Sequence, residues 1–441
     1  MDKEVEFKKL FGLTSTITDT FPKVGARFLD ALIISALGNK ILASYITNKA
    51  NRVLKRIRQF NKILFVSDLN IGDAIISSCG ISALRKIFPE SEIDFVIKES
   101  TKVLMEGNPD VSNLYSIYNH APYPTENDLI KLSNVVNQKS YDLIINYCPM
   151  ISSNFFGNKK TISYNLMATE LIKNERRKDS INHINYESFK FIVKTLKDFA
   201  PPALLENFKG AKIFISEMAV LEAKEFLIKH NLNSNKPLIM LNPDASAVYT
   251  RIPFDFQINL LKELSYLQYD ILIGAGHVEK NIEKRIIERL SLDSEQKIVL
   301  IPPSLELDTY AALIDFADVF ITGDTGPLHI AAARKYNRST GKSMRNSTAV
   351  FSIFGSTPPH IYGYDSINPT YLPANQDSPS RTFIAKSVCR NISCINKMGK
   401  TCKEIRCFDN LSIDEIVTEI NSYLSTLKRF YFPKERSIFA E

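Results

Sequence analysis

The chain has 441 residues, 44% of them hydrophobic and 23% charged, which is room for two packed cores and excludes a disordered-class chain. Its formal net charge is +7, and residues 1–62 account for all of it, because twelve basic side chains there face five acidic ones. Nucleic-acid binding therefore has only a basic arm behind it, with no recognised module, and no uninterrupted apolar run reaches the ~20 residues of a spanning helix.

Residues 1–58 read as a basic amphipathic extension. Its apolar parts, Phe28-Leu-Asp-Ala-Leu-Ile-Ile-Ser-Ala-Leu-Gly and Ile41-Leu-Ala-Ser-Tyr-Ile46, are interrupted by Asp30 and Lys40. They start late and no small-residue cleavage site follows, unlike a secretory signal. Two readings fit. The preferred one lays the segment on an anionic membrane surface, which makes the protein cytoplasmic and peripheral on the inner face of the cytoplasmic membrane. The other packs it as a helical arm on the protein's own body or on a second subunit.

A βαβ unit opens the first domain, residues 59–235. The apolar run Lys62-Ile-Leu-Phe-Val ends at Ser-Asp-Leu-Asn70-Ile-Gly72-Asp73, a helix runs from Ala74 to Phe88, and a second strand spans Ile93–Ile97. Asp73 lies at the C-terminal end of the first strand, the edge where open parallel sheets bind ligands. On these residues alone it is either a helix N-cap or a general base. No Gly-x-Gly-x-x-Gly follows the strand, which argues against a nicotinamide-dependent dehydrogenase. A further strand is expected at Tyr141–Tyr147. Breakers mark loops at 107–109 and 121–124, and Asn231-Leu-Asn-Ser-Asn-Lys-Pro237 is the linker candidate.

The second domain, residues 236–408, opens with Leu238-Ile-Met-Leu-Asn-Pro-Asp244-Ala-Ser246, followed by Arg251-Ile252-Pro253. Next come Asp270-Ile-Leu-Ile-Gly-Ala-Gly-His-Val-Glu279 and a helix around Ser304–Ile314. The strand Ala317–Thr322 then runs into Gly-Asp324-Thr325-Gly326-Pro-Leu-His329. That turn gathers a carboxylate, a hydroxyl, backbone N–H groups and an imidazole where a helix opens on Pro327. It is either an ordinary strand-to-helix turn or a phosphate site. The basic stretch Arg334–Arg345 reads as a solvated loop, with a flap reaching anionic acceptor groups as the other reading. A strand is expected at Ala349–Phe354, a C-terminal helix in residues 409–427 and a tail at 428–441.

Cys79 and Cys148 sit in apolar surroundings and read as packing residues. Cys389, Cys394, Cys402 and Cys407 are spaced C-x4-C-x7-C-x4-C, so they are structural zinc ligands, free or mixed thiols, or disulfides. The inner spacing is wider than in zinc knuckles.

Taken in order, these motifs resemble the bacterial heptosyltransferases, glycosyltransferase family 9. The likeness rests on Ile-Gly-Asp73, on Gly-Asp324-Thr-Gly-Pro-Leu-His329, and on Ala349-Val-Phe-Ser-Ile-Phe-Gly355-Ser-Thr357-Pro. It runs from about Lys62 to about Leu427. It implies an α/β protein of GT-B fold, two Rossmann-like domains facing across a cleft, with residues 409–427 returning to the first domain. It implies an inverting, metal-independent transferase that moves a heptose from ADP-heptose to a lipopolysaccharide or lipooligosaccharide core acceptor. Asp73 would be the general base, with Asn70 and Gly72 on the acceptor side. Asp324, Thr325, Gly326 and His329 would meet the donor diphosphate or sugar, and Glu279 the ribose. His329 is otherwise a half-buried helix residue, and Glu279 an exposed glutamate at a helix start. Ser246 and Arg251 would complete the donor side, with the guanidinium stabilising the leaving diphosphate. The implied partners are a nucleotide-sugar, a glycolipid acceptor and an anionic membrane surface met through residues 1–62. No cofactor is required beyond the zinc alternative. The chain departs from the family at Asp244, where a glycine is usual, and at Ile252, where an aromatic is usual. The N-terminal extension has no counterpart. Another nucleotide-sugar or acceptor, or a non-catalytic nucleotide-binding homologue, are the alternative functions.

Overall fold

The computed structural model describes residues 60–428, with the exception of 68–69, 119–124, 149–152, 157–160, 164–182, 233–235, 248, 268, 275–280, 291–297, 345–346, 356, 369–370, 375–378 and 386–405. The N-terminal extension therefore lies outside the described residues. The chain divides into two compact units, 1–211 and 212–441.

The first unit carries strands β1 (Lys62–Val66), β2 (Glu92–Lys98), β3 (Asn113–Tyr118), β4 (Leu143–Asn146) and β5 (Thr161–Ser163), all parallel in the order β3-β2-β1-β4-β5. Ile63, Leu64, Phe65 and Val66 are buried without alternation, as a central parallel strand covered on both faces requires. Helix α1 (Ile71–Ile87) follows β1 and packs against α3 (Ile184–Thr195). Between them α2 (Glu126–Gln138) starts on a capping box. Thr125 Oγ1 accepts from the Asp128 N–H, and the Asp128 carboxylate accepts from the Thr125 N–H.

The second unit begins with β6 (Lys212–Ile215) and α4 (Glu217–Lys229). Its main sheet comprises β7 (Leu238–Asn242), β8 (Asp270–Ile273), β9 (Ile298–Leu300), β10 (Val319–Thr322), β12 (Ala349–Phe354) and β13 (Ser380–Ile384), parallel in the order β13-β12-β10-β7-β8-β9. Helices α5 (Phe254–Ser265), α6 (Ile282–Leu290), α7 (Leu307–Phe316), α8 (Gly326–Ala332) and α9 (Ile413–Lys428) complete it. β11 (Arg334–Asn337) pairs with β6 in a separate two-stranded parallel sheet. The protein is thus α/β with a Rossmann-type sheet in each unit, the GT-B class expected from the sequence. In each sheet the strand order reverses beside the first strand, between β1 and β4 and between β7 and β10. Such reversals open a crevice at the strands' C-terminal ends, where ligands bind.

Three features differ from the sequence reading. The boundary falls at 211/212 rather than 235/236, because β6 is held by β11 and α4 packs on α7. Helix α9, expected to return to the first domain, lies on the second unit. Ile416, Ile420 and Leu424 form one stripe at helical spacing and enter the same core as Leu260, Leu261 and Leu264 of α5. Tyr269 Oη donates to Asn421 Oδ1 at 2.7 Å, and Arg381 pairs with Glu419 at 3.0 Å, fixing that seat. Finally, 334–337 is neither a solvated loop nor a flap. Lys335 is fully buried and ion-paired with Asp315 of α7. Arg338 pairs with Asp308 at 2.9 Å, so the first basic residues of this stretch turn toward α7.

Candidate functional site

In the second unit the crevice lies beyond β7 and β10. Their last residues, Asn242 and Thr322, are register partners, and Asn242 Nδ2 donates to Thr322 Oγ1 at 3.1 Å. The same amide donates to the Asp244 carbonyl at 2.9 Å, turning the chain as it leaves the sheet. Gln257, fully buried in α5, donates to the carbonyls of Pro243 (2.9 Å) and Ile252 (2.7 Å) and so draws both ends of the 243–252 loop together. That loop meets the turn after β10 at Gly323, where a Cβ would stand 2.5 Å from the Thr250 carbonyl oxygen. Only glycine allows this approach. The two loops that sequence analysis singled out are thereby clasped at the switch point.

On the first loop Ser246 is exposed, while Arg251 faces back onto it. Arg251 Nε lies 2.8 Å from Asp244 Oδ1, and an Arg251 terminal nitrogen donates to the Ala245 carbonyl at 3.1 Å. Asp244 Oδ1 also accepts from the Ala245 N–H at 2.8 Å. The carboxylate that replaces the usual glycine therefore carries its own counter-ion. Ile252 is 1% exposed and belongs to the unit's hydrophobic core, so its side chain lines the interior rather than the crevice.

On the second loop Asp324, Thr325 and Gly326 are half-buried. Thr325 holds the N-cap position of α8, and its side chain makes no capping hydrogen bond. Burial pushes the Asp324 carboxyl up to about 6, with the Thr357 hydroxyl acting in the opposite sense. His329 is buried within α8, and burial lowers its imidazole to about 4, so the ring is neutral at pH 7. Its Nδ1 is 2.9 Å from the hydroxyl of Tyr364, a residue 35 positions along the chain.

In the first unit Asn70 occupies the N-cap position of α1, but its side chain does not cap. Its Oδ1 instead accepts from Lys98 Nζ at 3.1 Å, at the C-terminal end of β2. Gly72 is buried, and Asp73 is the third helical residue with an exposed side chain. The N-cap reading of Asp73 is thereby set aside, and its carboxylate lies at the C-terminal edge of β1.

Glu279, Cys389, Cys394 and Cys402 lie outside the described residues. Cys407 is packed in the second unit's core, and Cys79 and Cys148 are buried. Among the described residues no group of His, Cys, Asp or Glu is arranged to hold a metal ion. Sequence reasoning missed Asn242, Gln257, Lys98 and Tyr364. Lys98 had a local signal, as the first charged residue ending an apolar strand. The other three are recognisable only through partners distant in sequence.

Comparison with known proteins agrees with the fold. The pattern of Glycosyltransferase family 9 (heptosyltransferase) matches residues 130–340. Lipopolysaccharide heptosyltransferase 3 of Escherichia coli K12 is 20% identical over 298 residues, covering 66% of this chain and 81% of that protein. Among solved structures, a family 9 glycosyl transferase from Veillonella parvula superposes with a TM-score of 0.59 at 16% identity, covering 83% of this chain and 98% of that one. The E. coli ADP-heptose lps heptosyltransferase II superposes with a TM-score of 0.58 at 15% identity, covering 83% of this chain and 99% of that one.

Proposed function

We propose that this chain, whose residues 130–340 match the pattern of glycosyltransferase family 9, the heptosyltransferase family, transfers a heptose from ADP-heptose to a core sugar of a lipopolysaccharide or lipooligosaccharide acceptor. The observation that carries this reading is the clasp at the second unit's switch point. There Gln257 and Gly323 hold the 243–252 loop against the Asp324-Thr-Gly turn. Similarity to an enzyme described as an ADP-heptose lps heptosyltransferase supports the choice of donor.

In this reading the diphosphate meets the Ser246 and Thr325 hydroxyls, the Gly326 backbone and the Arg251 guanidinium, with Glu279 on the ribose. These donors stabilise charge on the leaving nucleotide, and no metal ion is needed. A carboxylate beside an anionic donor is unfavourable when ionised. Asp244 is neutralised by Arg251, and the Asp324 carboxyl, raised to about 6, takes up a proton as pH falls through that value. The neutral His329 then contributes a hydrogen bond rather than a charge.

Asp73 acts as general base. It takes the proton from the acceptor hydroxyl as that oxygen attacks the anomeric carbon opposite the leaving diphosphate, so one displacement inverts configuration. Asn70 and Gly72 shape the acceptor side. The basic residues of 1–62 hold the enzyme on the anionic inner face of the cytoplasmic membrane, where a lipid-borne acceptor is presented. No helix among the described residues is long and apolar enough to cross a membrane.

Calorimetric binding of ADP, UDP, GDP and CMP to wild type and Asp324→Ala tests the proposal. Selective ADP binding that the substitution abolishes supports it. Preference for UDP or GDP keeps the transferase and discards heptose. Failure to bind any nucleotide leaves a non-catalytic protein.

A further inference from the structure

We propose that Tyr364 is a positioning residue of the donor site: its hydroxyl donates to His329 Nδ1 and holds the imidazole in the tautomer that carries its proton on Nε2, ready to donate to a phosphate or sugar oxygen of the nucleotide-sugar. This deepens the donor-site reading and rests on it.

The geometry is that of a fixed pair. His329 is 4% exposed and Tyr364 1%, the Nδ1-to-hydroxyl distance is 2.9 Å, and the rings meet edge to face with centroids 5.8 Å apart. A neutral imidazole has one N–H donor and one lone-pair acceptor, so the hydrogen bond made by one nitrogen decides what the other offers. A phenol hydroxyl is a good donor, and donating to Nδ1 leaves Nε2 as the protonated nitrogen. The opposite arrangement would leave a lone pair on Nε2, which repels a phosphate.

The protein holds Tyr364 firmly enough to impose this choice. Its carbonyl accepts from Thr382 Oγ1 of β13 at 2.8 Å. The next residue, Asp365, accepts the N–H groups of Ile367 (2.9 Å), Asn368 (3.1 Å) and Thr382 (3.2 Å) through its carboxylate. The tyrosine is thus tied to the sheet that also supports α8, and the ring of His329 is oriented from outside its own helix.

Nitrogen-15 spectra of the full chain labelled at histidine test this, with His329 assigned from the signals lost in His329→Asn. The expected wild-type spectrum shows Nδ1 unprotonated and Nε2 protonated; Nδ1 protonated in wild type overturns the proposal without any variant. In Tyr364→Phe the fixed tautomer should give way to a mixture, with ADP affinity falling about three- to tenfold, the worth of one hydrogen bond. That loss should vanish when Tyr364→Phe is made in the His329→Asn background. An equal loss in both backgrounds means Tyr364 acts on packing alone and overturns the proposal. Wild type that shows the expected tautomer yet binds no nucleotide diphosphate removes the donor-site reading instead, and the two failures are told apart by the spectrum.

Discussion

Arg251 and Asp244 face each other across one loop, Nε to Oδ1 at 2.8 Å, with side chains 15% and 6% exposed. Their charges act in opposite directions on an anionic ligand, so their substitutions should too. Asp244→Asn keeps the acceptor for the Ala245 N–H and removes the negative charge, and ADP should bind about three- to tenfold more tightly at low salt. Arg251→Ala should weaken ADP by about tenfold and lower the melting temperature, since it leaves a buried carboxylate without its cation. Calorimetry at two salt concentrations checks both. If both substitutions weaken binding equally, the pair is a structural clasp and not a charge balance beside the phosphates.

Asp73→Asn should reduce kcat by about 10²–10⁴-fold while ADP affinity stays unchanged, because the residue belongs to the first unit and not to the clasped loops. Turnover with ADP-heptose and a core-sugar acceptor, alongside nucleotide binding, measures the split. Activity within a fewfold of wild type would remove Asp73 as the base.

Asp324 and His329 give stability a pH dependence with two arms. The Asp324 carboxyl is raised from 3.8 to about 6, so its contribution is full below pH 3.8 and is lost as pH rises through about 6. The His329 imidazole is lowered from 6.5 to about 4, so its contribution is present above pH 6.5 and is lost as pH falls through about 4. Asp324→Asn should therefore stabilise the protein at pH 7.5, with the advantage closing toward pH 4. In that variant stability should climb between pH 4 and 6.5. Urea denaturation across pH 4–8 reads both, and a pH-independent difference between the two proteins contradicts the assignment.

Lys335 and Asp315 form an ion pair with both side chains fully buried. Lys335→Met strands the carboxylate and should cost about 3–5 kcal/mol. Adding Asp315→Leu should restore most of that loss, because two apolar residues can replace a buried pair. Chemical denaturation of the two variants decides it. A loss below about 1 kcal/mol for the single substitution would mean that β11 is not anchored through this pair.

Deleting residues 1–58 should abolish flotation with vesicles containing anionic lipid and leave ADP binding intact. Undiminished vesicle binding by the truncated protein would assign membrane contact elsewhere.

Sequence alone determined the strands β1, β2, β4, β10 and β12 and the helices α1, α7, α8 and α9, in their order. Short continuous apolar runs bounded by turn residues, such as Ile63–Val66, read as doubly covered parallel strands, and Gly323-Asp-Thr-Gly-Pro marks a strand-to-helix turn through local backbone preferences. The crevice positions of Asp73 and Asp324 follow from the βαβ rule once those elements are recognised. Tertiary structure decided whatever depended on a distant partner. The basic stretch after α8 became a strand because Asp315, twenty residues earlier, supplies the charge that lets Lys335 enter the core. Ile252 turned inward because Gln257 draws its carbonyl toward α5, and α9 settled on the second unit because its apolar stripe fits that core. His329 Nδ1 likewise found its partner, the Tyr364 hydroxyl at 2.9 Å, across 35 residues. Local propensity is written in neighbours along the chain. The pairing of a buried charge or a buried imidazole is not, because burial becomes tolerable only when the fold brings the partner within hydrogen-bonding distance.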